Sequence, residues 1–237
     1  MKKQHFIANV VVNVVICLAL LMVGFVGFGN NVITTAIENR AIYRGNVNEP
    51  YVALMFNVYW GTEYIKEILN VLEQYNVKCT FFVGGSWAMK NGEVLQLIKE
   101  KGHEVGSHGY SHKEAEKLSY KQNLDEIKMA DEIIKRIIGN VPSLFAPPSG
   151  SIGNDMFKAC DELGKSVIMW SRDTIDWRDK DSNLVLKRAT LDIQNGELIL
   201  MHPTGHTCKA LPNIIQRIQT QNLVPTTVSQ CIKETIL

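Results

Sequence analysis

Two histidines four residues apart are the feature of this sequence that most clearly suggests chemistry. His108 and His112 follow a short segment, residues 103–107, whose composition is typical of a buried β-strand. If the chain beyond that strand coils into a first helical turn, the two imidazoles share one face and can bind a single metal ion. The alternative is a pair of surface histidines beside a turn. The spacing alone leaves both interpretations open.

Polar and aromatic residues also follow the other apolar segments of the chain. They are Asn57, Trp60, Pro147, Pro148, Asp173, Asp176, Trp177 and His202. Each has an ordinary explanation when taken singly, because prolines form turns, aspartates cap helices, and histidine or tryptophan can pack in a core. Together, at the ends of successive strands, they indicate a site built on a shared rim.

A regular alternation of strands and helices must position these side chains. Apolar runs predict seven strands, at residues 51–56, 79–83, 103–107, 143–146, 166–170, 197–201 and 224–228. Amphipathic segments predict helices at residues 62–75, 87–101, 119–138, 155–163, 182–194 and 214–220, with a short one at the carboxyl terminus. Strands that are apolar on both faces predict an α/β fold with a parallel sheet covered by helices. A distorted (β/α) barrel and a doubly wound sheet both satisfy the pattern; in a barrel the site lies at the carboxyl ends of the strands.

Composition and charge narrow the classes of function. The 237 residues, 46% of them hydrophobic, are enough for one large domain and an appendage. A net charge of +1 without a basic stripe argues against nucleic-acid binding. Five scattered cysteines without a C-x-x-C pair argue against a disulfide framework.

The amino terminus predicts a membrane anchor. Residues 7–28 are nearly all apolar and follow Lys2 and Lys3, and a run of that length spans a bilayer as a helix. A cleaved signal peptide is the alternative. We expect residues 1–28 to be an uncleaved transmembrane helix, residues 29–50 a linker, and residues 51–237 one domain. The two lysines favour a cytoplasmic amino terminus, which places the domain outside the cytoplasm on a single-pass membrane protein.

The order of the motifs resembles the polysaccharide deacetylase family, which carries the NodB homology domain. The motifs are Gly102-His103-Glu104-Val105-Gly106-Ser107-His108-Gly109-Tyr110-Ser111-His112, then Pro-Pro-x-Gly, Asp-x-x-Asp-Trp and Leu-x-His. The sporulation-associated PdaB-like branch is the most similar, because residues 57–61 resemble the Trp-Gly ending of its first motif. The resemblance covers residues 51–228. It implies a distorted (β/α) barrel of about seven parallel strands, a divalent metal such as zinc, and hydrolysis of N-acetyl groups on cell-wall glycan.

The same resemblance assigns a role to particular residues. His108 and His112 would bind the metal, His202 would be the acid, and Asp176 would support it. The positions that would line the groove and contact the substrate are Trp60, Tyr110, Pro147, Pro148, Trp177 and Leu200.

Three positions depart from the family pattern. The catalytic base falls on Asn57, the metal-binding aspartate on Val58, and the arginine that holds the base on Ala146. A neutral amide does not accept a proton near neutral pH, and valine offers no lone pair to a metal. Loss of the arginine agrees with loss of the base, because one partner of a buried charge pair left alone is costly.

These departures leave three hypotheses. The first is a weakened de-N-acetylase whose metal rests on His108, His112 and water, or recruits a third ligand from among Asp173, His206 and Cys208. The second is a pseudoenzyme that binds cell-wall polysaccharide, such as peptidoglycan, through its aromatic groove. The third is an anchored scaffold for an envelope or spore-cortex assembly, which would bind neither metal nor glycan.

Overall fold

The protein is described here by a computed structural model that covers residues 40–233. Within that range all strands belong to one sheet and every pairing between them is parallel. The strands are β1 (Tyr51–Val58), β2 (Thr80–Val83), β3 (Glu104–Ser107), β4 (Leu144–Phe145), β5 (Ser166–Val167), β6 (Arg172–Asp173), β7 (Leu198–Met201) and β8 (Val224–Thr226). The α/β class and the parallel sheet are therefore confirmed.

The sheet curls into an open barrel. Its order is β5-β4-β3-β2-β1-β7-β6, with β8 paired to the first residues of β1. β5 and β6 stand at opposite ends of this order, yet only residues 168–171 separate them along the chain. The two ends of the sheet must therefore come near each other, as in a distorted barrel and unlike a doubly wound sheet.

Two apolar layers follow from the alternation of side chains along the strands. On β1, Val52, Leu54 and Phe56 belong to the large cluster between the sheet and its helices. Ala53 and Met55 belong to a second cluster inside the barrel, which also holds Leu200 of β7. The alternation thus directs odd-numbered residues of β1 to the interior of the barrel and even-numbered residues to the helix layer.

Helices cover the outer layer. They are α1 (Thr62–Gln74), α2 (Gly85–Lys90), α3 (Gly92–Glu100), α4 (Tyr120–Ile138), α5 (Asn154–Glu162), α6 (Ser182–Thr190), α7 (Gly205–Thr220) and α8 (Val228–Ile232). The start of α4 is fixed by a capping box, in which the Ser119 side chain and Gln122 bond reciprocally to backbone N–H groups.

Several predicted boundaries were wrong for identifiable reasons. The helix expected over residues 87–101 is two helices, because the backbone of Asn91 leaves the helical region. The strand expected over residues 166–170 ends at Val167, and a further strand follows at Arg172–Asp173. The helix expected from residue 214 starts at Gly205 and contains Pro212 in its interior.

The segment before β1 joins the barrel. Residues 41–50, assigned to the linker from the sequence, include Ile42, whose N–H donates to Val167 and whose carbonyl accepts from Met169. Arg44 forms an ion pair with Glu197 at 3.2 Å. Ile42 therefore lies against the edge strand β5, whose outer edge no other named strand covers in the described residues.

Within residues 40–233, no helix is both long enough and apolar enough to cross a membrane. The predicted anchor, residues 1–28, lies outside the described residues.

Candidate functional site

A cavity of about 630 Å³ opens at the carboxyl ends of the strands. Its walls are Asn57, Tyr59, Trp60, His108, His112, Ser149, Gly150, Trp170, Asp173, Trp177, Leu200 and His202. The structure thus brings seven of the residues singled out as site residues to one place: Asn57, Trp60, His108, His112, Trp177, Leu200 and His202. These seven lie together at the strand ends, whereas Tyr110, Pro147, Pro148 and Asp176 do not line this cavity.

The two histidines meet through a loop and not through a helical turn. Gly109 and His112 both adopt positive φ, at 70° and 59°, so the chain folds back on itself after β3. The ring centroids of His108 and His112 lie 5.1 Å apart in an edge-to-face arrangement. The helical turn considered from the spacing was therefore wrong, although the proximity of the two rings was right.

His108 is held in one orientation. Its Nδ1 lies 2.7 Å from the carbonyl oxygen of Ala146, and the residue is 2% exposed. A carbonyl can only accept, so Nδ1 carries the hydrogen and the lone pair of neutral His108 resides on Nε2. This is the tautomer that leaves one nitrogen free to accept a hydrogen bond or bind an ion.

Both imidazoles resist protonation. The pKa of His108 is lowered to about 3, chiefly by burial; the nearby His112 and His202 contribute to the lowering, while the Ala146 carbonyl opposes it. Burial also lowers the pKa of His112. The pair is therefore neutral at physiological pH.

Tyr59 is a wall residue that the sequence analysis did not single out. Its ring centroid lies 4.9 Å from that of His112, and its hydroxyl accepts from the Ser86 hydroxyl at 3.0 Å. A Cβ at Gly84 would stand 2.5 Å from the Tyr59 ring, so glycine is required there. The available signal was a tyrosine directly after a strand and a glycine at the end of the next strand.

Asn57 continues the interior face of β1 and enters the cavity. It is 5% exposed, and its Oδ1 is buried without a hydrogen-bond partner among the described residues. Val58 takes the opposite face and packs in the outer apolar cluster with Val83 and Trp87. The position that the resemblance gives to a metal ligand is therefore not part of the cavity wall.

Ala146 brings no charge to the site. It is fully buried in the interior cluster beside Met55 and Phe82. Its methyl group cannot hold a carboxylate, and its carbonyl is engaged by His108. The three departures from the family pattern are thus a neutral amide in the cavity, an apolar side chain outside it, and a methyl group in the core.

His202 is held in place by Asp176 and by Trp60. Its Nδ1 lies 2.8 Å from Oδ1 of Asp176, and its backbone N–H donates to Oδ2 at 2.6 Å. The indole of Trp60 stacks on the imidazole almost in parallel, with centroids 5.8 Å apart and planes inclined by 4°. Asp176 itself is not in the cavity wall; it supports the ring from behind at 1% exposure.

Three predicted substrate contacts lie outside the cavity wall. Tyr110 packs beside Gly85 of α2, and its carbonyl accepts from Ser86. Pro147 and Pro148 form the buried turn after β4. Their contact with a substrate stays a prediction.

Four further residues complete the wall: Ser149 and Gly150 after the proline pair, Trp170 between β5 and β6, and Asp173, the last residue of β6. Asp173 had been considered as a third ligand, whereas Ser149, Gly150 and Trp170 had not been assigned to the site. The sequence gives no periodic signal for them, because loop geometry alone decides which way they face.

The donor set does not fit a three-ligand metal centre. Among residues 40–233, no group of three or more His, Cys, Asp or Glu side chains is arranged to hold an ion. His206 donates instead to the backbone carbonyl of Asp176, and Cys208 lies against the carbonyl of Tyr64 at 3.7 Å. Asp173 accepts from the N–H of Ile175 at 2.8 Å. Two neutral imidazoles without a carboxylate are a poor site for a divalent cation.

The sequence matches the family description "polysaccharide deacetylase" over residues 44–168. The chain belongs to the polysaccharide deacetylase family. Membership agrees with the strand order, the cavity at the strand ends and the histidine pair. The PdaB-like branch inferred from the first motif stays a prediction.

Relatives of this chain align over most of its length. An uncharacterized Bacillus subtilis protein, YlxY, is 36% identical over 202 residues, which cover 85% of this chain and 63% of that protein. A Bacillus cereus peptidoglycan-N-acetylglucosamine deacetylase is 32% identical and covers 76% of this chain and 67% of that protein. The chain thus spans less than two thirds of the length of YlxY.

One solved structure in the polysaccharide deacetylase family is especially relevant to the site. It is a Bacillus anthracis protein described as a CE4 family pseudoenzyme, with 34% identity and a TM-score of 0.80, covering 82% of this chain and 69% of that one. A mutant of the same protein, also solved, is described as having restored enzymatic activity.

Proposed function

We propose that this chain binds N-acetylated cell-wall glycan in the strand-end cavity without hydrolysing it. The observation that carries the proposal is Asn57, a neutral amide at the position of the family's base, with a buried Oδ1 that lacks a partner among the described residues. An amide cannot activate water near neutral pH, but it can hydrogen-bond to the acetamido group of a bound sugar.

The loss of two further hydrolytic groups, at residues 58 and 146, supports the same proposal. Amide hydrolysis needs an activated water and stabilisation of the developing oxyanion. Val58 offers no ligand and faces the outer cluster, and Ala146 offers no charge. His202 and Asp176 remain, yet an acid for the leaving amine has no step to serve when water is not activated.

Aromatic walls suit a sugar ligand. Trp60 is 44% exposed and Trp177 is 55% exposed, and both line the cavity. Indoles that stay open to solvent beside hydrogen-bonding groups can stack on the apolar faces of sugar rings. The groove therefore has the exposed aromatic surface that sugar binding requires.

The relatives support both halves of the proposal. The Bacillus cereus relative is named for its action on peptidoglycan N-acetylglucosamine, which suggests the kind of glycan bound here. The Bacillus anthracis relative is described as a pseudoenzyme, which suggests that loss of activity occurs within this part of the family. Restored activity in its mutant suggests that such a fold can regain catalysis by substitution.

We propose further that residues 1–28 anchor the chain in the cell membrane with the domain outside the cytoplasm, and that it serves sporulation. The apolar run and the PdaB-like motif support these two points. Protease added to intact cells should degrade the domain, and protection equal to that of a cytoplasmic protein would contradict the orientation. Loss of the protein should impair spores but not vegetative growth, and the reverse outcome would contradict the role.

The test of function is to measure binding and hydrolysis on the same protein. The full chain in detergent, with zinc present, should bind N-acetylchitohexaose in calorimetry and release no more acetate than its His108→Ala variant. Absence of binding would overturn the glycan proposal. Acetate release by the parent above that of the His108→Ala variant would instead favour a weakened deacetylase. Removal of a general base typically lowers the rate by about 10²–10⁴-fold and leaves residual activity.

A gain-of-function variant tests the reason for inactivity. Asn57→Asp, Val58→Asp and Ala146→Arg together should raise acetate release above that of the parent, provided that the charged residue 58 leaves the outer cluster and turns toward the cavity. Release at background from a folded triple variant would show that the groove differs from a deacetylase in more than these side chains. Loss of those three groups would then not explain inactivity.

A further inference from the structure

A second cavity, of about 530 Å³, adjoins the first. Trp60 and Trp177 line both, so a ligand lying over these indoles can reach into either one. The second cavity is otherwise lined by Tyr64, Asp176, Lys180, Ser182, Thr204, Gly205, His206 and Lys209. The role proposed for the first cavity uses none of its lysines.

The charge of this second cavity is positive. Lys180 and Lys209 are exposed, and neither forms an ion pair with any residue in the described range. Asp176 is the one carboxylate in this wall, but its oxygens accept from His202 and from the Thr207 hydroxyl at 2.6 Å. That carboxylate is thus engaged inside the protein and not by the lysines.

The backbone reinforces the positive potential. α7, which is 16 residues long, begins at Gly205 in this wall, and the Thr204 hydroxyl caps it by accepting from the N–H of Thr207. His206, in its first turn, is fixed by donating to the carbonyl of Asp176. The amino-terminal end of a helix favours an anion. Here it adds to two unpaired cationic side chains on the same wall.

We propose that the second cavity binds an anionic substituent, a carboxylate or a phosphate, carried by the glycan whose sugars lie over Trp60 and Trp177. The inference rests on the proposed glycan binding and specifies the class of glycan. A chain with acidic groups is preferred to a neutral one. Two lysine contacts at exposed positions predict roughly a five- to tenfold gain in affinity.

The experiment compares two hexasaccharides on the full chain by calorimetry at constant ionic strength. One is N-acetylchitohexaose, which is neutral; the other alternates N-acetylglucosamine with N-acetylmuramic acid and carries lactyl carboxylates. The parent should bind the acidic hexamer roughly five- to tenfold more tightly. Lys180→Gln combined with Lys209→Gln should reduce the ratio of the two affinities to about one.

A matched control separates local contact from net charge. Lys121→Gln combined with Lys135→Gln removes two exposed lysines of α4 that line neither cavity, and should leave the ratio unchanged. An equal fall in the ratio for both double variants would overturn the proposal, because general attraction would then explain the preference.

Inorganic phosphate distinguishes the two sources of the anion. Equal affinity for the two hexamers, with phosphate binding that the Lys180/Lys209 variant loses, would assign the cavity to a phosphate group. Equal affinity without phosphate binding would overturn the inference. Failure of the parent to bind either hexamer would refute the proposed function, and direct phosphate titration would still test the cavity by itself.

Discussion

Asp176 holds His202 at two points, one on the side chain and one on the backbone. Oδ1 contacts Nδ1 at 2.8 Å, and Oδ2 accepts from the backbone N–H at 2.6 Å. The Thr207 hydroxyl donates to Oδ2 as well. One buried carboxylate thus fixes the ring, the end of β7 and the start of α7, which gives this pair a structural role that does not depend on hydrolysis.

Asp176→Asn should therefore lower stability. The amide turns one acceptor into a donor that faces donors, and we expect the free energy of unfolding to fall by about 2 kcal/mol. Urea unfolding measures it. Asp125→Asn, at an exposed position of α4, is the control and should change stability by less than about 0.5 kcal/mol. An equal effect of both substitutions would refute the structural role.

Trp177→Ala should separate binding from stability. The side chain is 55% exposed, so its loss should leave the urea midpoint nearly unchanged while weakening retention on N-acetylated glycan. Met89→Ala removes a side chain that is 57% exposed on α2 and lines neither cavity. Equal retention of parent, Trp177→Ala and Met89→Ala would argue against glycan binding in the groove, and absence of retention for all three would favour a scaffold that uses the barrel only as a rigid body.

The sequence was sufficient for what depends on strand periodicity. Interior-facing residues of β1 and β7 continue into the cavity as Asn57 and His202, so alternation and motif order together located them. The encounter of His108 and His112 was also predicted, but from the wrong local conformation. The actual loop needs positive φ at Gly109 and at His112, and the presence of a histidine alone does not predict that conformation.

The remainder depends on contacts that are distant in sequence. Trp170 enters the wall because β5 stops at Val167. Ile42 forms hydrogen bonds with Val167 and Met169, and no local sequence pattern predicts this contact. The outward position of Val58 depends on β1 continuing to that residue, paired with Val83. Such pairings are settled by the whole sheet and not by the segment itself.

Strain is concentrated at the site. Among residues 40–233, six residues other than glycine have positive φ: Asn76, His112, Ser149, Ile175, Asp192 and Asn222. Asparagine, aspartate and histidine tolerate this region better than other residue types, and Asn76, Asp192 and Asn222 follow helix ends. Ser149 lines the cavity beside His112, and the β-branched Ile175 lies between Asp173 and Asp176. Functional sites are where such cost is commonly retained.

Ser149→Gly should relieve part of that strain. Glycine adopts φ near 57° without a Cβ clash, and we expect unfolding to become less favourable by up to about 1 kcal/mol. Ser166→Gly, an exposed strand position, should instead destabilise by about 0.5–1 kcal/mol. Thermal unfolding compares the two variants, and a loss of stability in both would contradict the assignment of strain to Ser149.

Stability should fall as the pH drops below neutrality, and His103 should account for part of it. Burial, with Lys78 and Lys101 nearby, lowers the pKa of His103 from 6.5 to about 4, and its Nδ1 accepts from the N–H of Cys79. Between those two values the unfolded chain binds a proton that the native protein does not, so stability is lost as the pH falls. His103→Asn keeps an acceptor but cannot titrate.

The comparison is made by urea unfolding at pH 7 and pH 5. The parent should lose more stability than His103→Asn over this interval, by roughly 1–2 kcal/mol. The gap between the two proteins should therefore narrow at pH 5. A gap that is the same at both values would mean that His103 titrates alike in the folded and unfolded states.

Zinc should bind this protein weakly, because its two imidazoles have no carboxylate beside them in the described structure. Calorimetric titration of the full chain at micromolar concentration should give no saturable heat, and His108→Ala should give the same trace. Val58→Asp alone should not create tight binding while residue 58 packs in the outer cluster. Saturable one-to-one binding that His108→Ala abolishes would overturn this view and identify a recruited third ligand. Asp173, the carboxylate of the same cavity wall, would then be the residue to test by Asp173→Asn, since loss of binding in that variant would complete a three-ligand site.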